Sequence, residues 1–404
     1  MTEILKPRTS GEIEEAIRWA IAGKVPLEIL GGGSKRAFGR PVETAHVLDL
    51  SSLAGIVNYE PDELVMSAGP GTPIADIEAA LAPHRQQLMF EPADFGPLLG
   101  TSGGTIGGAV ACNLSGPRRV RAGAARDHVL GFKAVSGRGE SFKSGGRMFK
   151  NVTGFDLSKL MSGSFGTLAV LTEATFKVLP AAETVRTVLI AGADPQTAVR
   201  AMTVALQSPN DVSGAAHLPA DVAAISTVAA VAGGGSVTAL RVEGFGPSVE
   251  YRCRALAGLL AEFGEIEHLE AEGSAVLWRE IRDVHFFAGE ADSQVWRLSV
   301  APAQGATVAE RVLTTMSGRG FLDWGGGLVW LALPPTDDAA HETVRGALSG
   351  MDGHATLVRA DHSVRGTVPV FQPQPGPLAD LTARIKQSFD PEGVLNPGRM
   401  YAGI

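Results

Sequence analysis

Sulfur is scarce in this chain. Two cysteines in 404 residues, Cys112 and Cys253, stand far apart and in no metal-like spacing. That excludes a disulfide framework, and a zinc site or iron–sulfur cluster held by this chain alone. Basic charge is in deficit: a net charge of -8 argues against a sequence-independent grip on nucleic acid or anionic lipid. Long apolar runs are missing too, the longest, Val222 to Ala232, being too short to span a bilayer. The opening MTEILKPRTSGEIEEAI carries acid where a signal peptide needs a basic and then an apolar stretch. Export is therefore not indicated, and the expected compartment is the cytoplasm, with any membrane attachment made through a partner.

Glycine is what remains conspicuous. From Glu91 to Gly116 the chain reads EPADFGPLLGTSGGTIGGAVACNLSG, with Gly103-Gly104 and Gly107-Gly108 separated only by Thr105-Ile106. Each glycine adds chain entropy that folding must remove, so such density implies a backbone that approaches something closely. N–H groups aimed at negative charge are the usual reason. Ile106, Val110 and Leu114 at i, i+4, i+8 argue against a plain linker. A second such loop, Gly31-Gly32-Gly33-Ser34-Lys35-Arg36-Ala37-Phe38-Gly39, follows the short apolar run Val25 to Leu30. It has neither the GxxxxGK[ST] order of a nucleotide-triphosphate loop nor the GxGxxG of a Rossmann fold. Two glycine-rich loops in one domain suit a diphosphate approached from two sides.

The remaining pattern supplies a frame. Thr9 and Glu12 are spaced as a capping box ahead of Ile13, Ala16, Ile17, Ala20 and Ile21. Strands are expected at 25–30, 47–50, 64–69, 129–136, 140–143 and 168–180, and a helix at 73–81. Gly137-Arg138-Gly139 turns one hairpin. From 184 to 360 the chain repeats itself loosely: strand 184–190, helix 195–206, strand 237–242, helix 247–263, then strand 295–300, helix 307–317, strand 328–333, helix 339–348 and strand 355–359. Two copies of an α-plus-antiparallel unit predict one continuous sheet with helices on one face. Residues 366–376 read as a proline-punctuated linker before a last helix at 378–389. The fold class is α+β. Expected domains are 1–180 (subdomains about 1–60 and 61–180), a cap at 184–365, and a returning C-terminal segment at 366–404.

GGGSK, GTSGGTIGGAVACNLSG, ARDHVLGFKAV, KNVTGFDLSKLMSGSFGTLAVLTEATFKV and DPEGVLNPGRM, in that order, resemble the PCMH-type flavoprotein superfamily of vanillyl-alcohol oxidase and p-cresol methylhydroxylase. Within it the likeness is to the smaller flavin-type subunits of bacterial glycolate dehydrogenases, and it runs nearly the whole chain. The resemblance implies FAD contacts at Gly31, Gly32, Gly33, Ser34, Lys35, Thr101, Ser102, Gly103, Gly104, Gly107, Gly108 and Asn113. It extends them to Gly123, Asp127, Val129, Gly166, Val170 and Asn396. Members with covalently bound flavin place a histidine in the first loop; Ser34-Lys35 stand there here, which implies non-covalent FAD. The larger 2-hydroxy acid dehydrogenases carry H-x-G-D-G-N-x-H, whereas the matching stretch Phe321 to Trp330 has no histidine, and no metal is implied. On the alternating strand Val295 to Val300, Arg297 is the candidate partner of a substrate carboxylate. The implied function is the FAD-binding subunit of a glycolate, or similar short 2-hydroxy acid, dehydrogenase. Its implied partners are a larger flavoprotein subunit and an iron–sulfur subunit. A non-catalytic FAD-binding scaffold in that complex, and a stand-alone sugar or alcohol oxidase, are the alternatives.

Overall fold

The computed structural model describes residues 3–147 and 154–404; Lys150, Asn151, Val152 and Thr153 of the fourth motif lie outside the described residues. The chain forms two compact units, one of Met1–Ser115, Ala124–Ala181 and Pro373–Ile404, the other of Gly116–Gly123 and Ala182–Gln372. Gly116–Gly123 thus clusters with the second half of the chain rather than with the glycine loop preceding it.

In the first unit, three short strands form a parallel sheet: β1 (Glu3–Leu5), β2 (Glu28–Leu30) and β3 (His46–Asp49), in the order β1-β3-β2. Helix α1 (Ser10–Gly23) buries Ile13, Ile17 and Ala20, each of the two isoleucines worth about 1.5–3 kcal/mol when fully removed from water. The capping box forms only in part. Thr9 Oγ1 accepts from the Glu12 N–H, but the Glu12 carboxylate turns back to the Arg8 N–H at 2.7 Å. Lys24 in the left-handed region closes the helix.

Five further strands form an antiparallel sheet ordered β4-β5-β9-β7-β8: β4 (Ile56–Glu60), β5 (Val65–Ala68), β7 (Val129–Ser136), β8 (Ser141–Gly145) and β9 (Ala169–Lys177), with β6 (Gln86–Gln87) and β10 (Leu179–Pro180) paired beside it. Strand β4 is not legible as apolar alternation, because its Ile56 and Val57 face solvent. The period of two divides β9 between two cores. Ala169 and Leu171 join Met66, Phe90, Ile106 and Phe132. Val170 joins Ile13, Ile17, Val135, Val394 and Leu395. Helices α2 (Ile74–Leu81) and α3 (Ile106–Ala111) pack on the first of these cores.

The second unit holds β11 (Thr184–Ala191), α4 (Pro195–Gln207), β12 (Val212–Leu218), β13 (Val237–Gly244), α5 (Gly246–Leu260), β14 (Glu265–Leu269) and α6 (Ala271–Arg282). They are followed by β15 (Gln294–Val300), α7 (Gly305–Thr315), β16 (Arg319–Asp323), β17 (Leu328–Leu333), α8 (His341–Gly346) and β18 (Gly353–Arg359). Both halves are split β-α-β-β-α-β units. Their sheet runs β14-β11-β13-β12-β16-β17-β15-β18, entirely antiparallel, and the copies meet at His217 opposite Leu322. The repeat is therefore more regular than the sequence suggested. The continuous sheet forms. Register places Thr187, Arg241 and Gly214 on one side. There Trp278 of α6 donates to Thr187 Oγ1 and stacks on Arg241. Residues 366–372 are not a free linker: Val368, Val370 and Phe371 are buried, and Leu357 N–H donates to Val370.

Candidate functional site

Strand β2 ends by delivering Gly31 to Gly39 into a series of turns, closed by Arg36 N–H to Gly33 O and Phe38 N–H to Lys35 O. The second glycine loop lies against it. Thr101 Oγ1 donates to the Ser34 carbonyl at 2.9 Å. Ile74 N–H donates to Gly104 O, Ile106 N–H to Thr72 O and Gly107 N–H to Pro70 O. At Gly31 and Gly107 close contact excludes a side chain, while at Gly104 the neighbour is the flexible end of Lys35. An added Cβ would lie 2.7 Å from Thr105 Oγ1 at Gly31, 3.0 Å from Lys35 Nζ at Gly104 and 2.6 Å from Pro70 at Gly107.

Two clamps fix this geometry from the C-terminal segment. Arg399, buried, donates through Nη2 to the carbonyls of Lys35, Arg36 and Phe38 and through Nη1 to that of Arg40. Glu28, also buried, takes Arg36 in a forked pair. Asn396 accepts from Ile29 N–H and donates to Phe165 O, both at 2.8 Å. Its turn is organised by a buried ion pair within the helix Gly376–Phe389 and its cap. Lys386 Nζ reaches Asp390 as well as the carbonyls of Thr167 and Leu395, while Asp390 accepts from Val394 and Leu395 N–H.

The result is a cleft bordered by both loops and by Ile29, Leu50, Met161, Ala169 and Leu171. Of the residues implied by the sequence, Gly31, Gly32, Gly33, Ser34, Lys35, Gly107, Gly108, Gly166 and Asn396 line it. Thr101, Ser102, Gly103 and Gly104 form the adjoining loop. Others lie elsewhere. Val170 points into the α1 core while its neighbours Ala169 and Leu171 face the cleft, as strand alternation dictates. Val129 is in the other core. Asn113 and Asp127 form a polar knot, with Asn113 Oδ1 accepting from Arg126 N–H and Asp127 from Ala124 N–H. Gly123, at φ 86, closes a short helical turn in the second unit. Sequence reasoning missed Cys112, Pro70 and Arg399 as cleft residues. The last stands in the LNPGR motif, but its partners are some 360 positions upstream.

The donors fit a dinucleotide diphosphate. The N–H groups of Gly32, Gly33, Ser34, Gly103 and Gly104 make no hydrogen bond to another described residue. Among the described residues Lys35 Nζ, beside Gly104 and Gly108, hydrogen-bonds only the Ser34 hydroxyl, at 3.3 Å. Burial lowers the Lys35 pKa, with Cys112 and Asp94 acting in the opposite sense. Burial pushes the Cys112 thiol up to about 11, against the pull of Lys35 and Arg399, so it stays protonated at neutral pH.

Residues 2–145 match the model of a family described as FAD binding domain. Over 393 residues the chain is 35% identical to glycolate oxidase subunit GlcE of Escherichia coli (strain K12), covering 96% of this chain and 97% of that one. The chain belongs to the GlcE family. GlcE-type chains are FAD-linked oxidoreductases of the PCMH-type superfamily. Glycolate oxidase subunit GlcD of Bacillus subtilis (strain 168) is 29% identical over 218 residues, 54% of this chain and 44% of that one. The solved structure of p-cresol methylhydroxylase with substrate bound shares the fold, with TM-score 0.69 at 13% identity over 98% of this chain and 88% of that one.

In the second unit Arg297 stands on β15, opposite Trp330 and Thr356. Its guanidinium lies 5.1 Å from the centre of the Trp324 ring. Burial brings it down to about 10, helped by repulsion from Arg119 and opposed by Asp323. The stretch Phe321 to Trp330 is a β16–β17 turn, in which Asp323 accepts from Trp324 N–H. Among the described residues no group of three or more His, Cys, Asp or Glu side chains is placed to hold a metal ion.

Proposed function

We propose that this chain is the FAD-binding subunit of a complex that oxidises glycolate or a similar short 2-hydroxy acid. The observation that carries the reading is the pair of glycine loops around Lys35, in a chain of the GlcE family. When bound, FAD supplies the two-electron acceptor for a hydride leaving the α-carbon of the acid. The chain's own residues orient and neutralise: Lys35 and the loop N–H groups hold the diphosphate, and Arg297 holds the substrate carboxylate in a forked pair. The FAD contacts at Gly31 to Lys35, Thr101 to Gly104, Gly107, Gly108, Gly166 and Asn396, and the role of Arg297, are part of this proposal, as is a domain limit at about 180. Binding is non-covalent in this reading, since Ser34-Lys35 occupy the histidine position of covalent members. Two cysteines far apart support onward electron transfer through a separate iron–sulfur subunit, alongside a larger flavoprotein subunit. No helix among the described residues is long and apolar enough to cross a membrane, so a cytoplasmic chain meeting the membrane through its partners fits.

One observation favours the scaffold alternative: the turn at Trp324 offers no histidine as base or metal ligand. Anaerobic mixing of the purified, FAD-loaded chain with glycolate separates the readings. Bleaching of the flavin by this chain alone is expected for a catalytic subunit, and bleaching only with partners present assigns the scaffold role. Absence of a flavin spectrum would remove both. Acid precipitation should leave the flavin in the supernatant, and Arg297→Met should retain FAD while slowing the bleaching.

A further inference from the structure

The end of the chain reaches the first glycine loop from two sides. Residues 394–396 run parallel to the stretch entering β2, with Leu27 and Leu395 as bridge partners. Leu27 N–H donates to Val394 O at 2.8 Å, and Asn396 N–H donates to Leu27 O at 3.0 Å. Leu27, Val394 and Leu395 are buried together in the α1 core. The chain then turns through Asn396 (φ 43) and Gly398 (φ 74), and Gly398 N–H ties the turn to Ile404 O at 2.7 Å. Arg399 comes back across the loop, where its carbonyl accepts from Arg40 N–H at 2.9 Å. The same short segment therefore holds the residue before β2 and the loop that follows it.

Arg399 lines the cleft, yet its Nη1 and Nη2 donate to backbone. Four carbonyls, of Lys35, Arg36, Phe38 and Arg40, converge on one guanidinium, whose planar fork sets their directions together. One of them belongs to Lys35 itself, so the placing of that ammonium depends on a residue 364 positions further on. Gly39, at φ 110, leaves the room: an added Cβ would lie 2.9 Å from Arg399 Nε. Burial lowers the Arg399 pKa and Arg36 adds to this, while Cys112 and the buried Glu28, 3.9 Å away, act in the opposite sense. Negative charge brought into the same cleft acts in the sense of Glu28 and favours Arg399 where it is docked. Ordering of the loop by Arg399 favours the anion in turn, and the two effects are one coupling seen from either side.

We infer that residues 394–404 form a latch on the cofactor cleft, with Arg399 as its positioning residue: docking of the latch and binding of the dinucleotide stabilise each other. This rests on the FAD reading for the identity of the ligand and adds the coupling to it.

Two measurements on the full chain test it: fluorescence titration of the apoprotein with FAD, and amide hydrogen exchange with and without FAD. In wild type, saturating FAD should slow exchange across residues 398–404, beyond the assigned contact at Asn396. Arg399→Met should raise the Kd for FAD about tenfold or more and abolish that protection. Arg399→Lys keeps the charge without the fork, so it should recover part of the affinity and stay at least threefold weaker than wild type. Should Arg399→Met not fold, Arg399→Lys and the wild-type exchange decide. FAD binding by wild type without protection of 398–404 would overturn the latch and keep the cofactor reading. A smaller loss of affinity in either variant would do the same, as would faster exchange spread equally through the second unit, which marks general destabilisation. No FAD binding by wild type would overturn both.

Discussion

Lys35 shows how much one side chain carries at the proposed cofactor site. Its ammonium is drawn partly out of water beside the two loops, with Cys112 and Asp94 opposing the effect of burial, so a further negative charge there would stabilise it. A charge-assisted hydrogen bond contributes about 1.5–3 kcal/mol, so Lys35→Met should raise the Kd for FAD by roughly 10- to 100-fold. Fluorescence titration of the apoprotein checks it; an affinity within twofold of wild type would place the diphosphate elsewhere. The glycines and Lys35 were legible in the sequence because their physical reason is local. Arg399 was not: its role depends on four carbonyls at the far end of the chain.

Between elements, the C-terminal helix and β2 are joined by groups that no periodicity would reveal. Lys386 and Asp390, four residues apart, read as an ordinary surface pair. In the fold both are buried, and Asp390 lies against Gly137, where an added Cβ would come within 2.2 Å of its carboxylate. Removing one partner leaves an uncompensated buried charge, so Asp390→Ala should cost about 3–5 kcal/mol in urea unfolding. It should also release the Asn396 turn from Ile29 and Phe165, raising FAD loss on gel filtration. A stable variant that retains flavin would contradict the clamp. Interruptions such as β12, β16 and α6 escaped the sequence for a related reason. Their small or polar residues, Gly214 and Ser274 among them, are buried by partners distant in the chain.

For the molecule as a whole, acid should be the sensitive side of the stability profile. Burial brings His217, at the junction of the two repeats, down to about 4. Burial works against the ionised Glu243, but Arg241 and Arg118 overcome it and hold the carboxyl near 2. In both cases the unfolded chain binds more protons across the window, so stability falls as pH falls: from 6.5 to 4 through His217, and from 4.5 to 2 through Glu243. Each is worth about 3 kcal/mol. Glu243→Gln should lower the unfolding free energy at pH 7 and flatten the profile below pH 4.5, and an unchanged slope there would assign the acid limb to other groups. The sequence by itself determined what depends on neighbours along the chain: the α+β class, the duplicated sheet, and two glycine loops suited to a diphosphate. Tertiary structure decided which charges are buried and with whom, joining Arg399 to the first loop. Burial sets the strength of a charge, and burial is fixed by contacts between segments that the order of residues does not display.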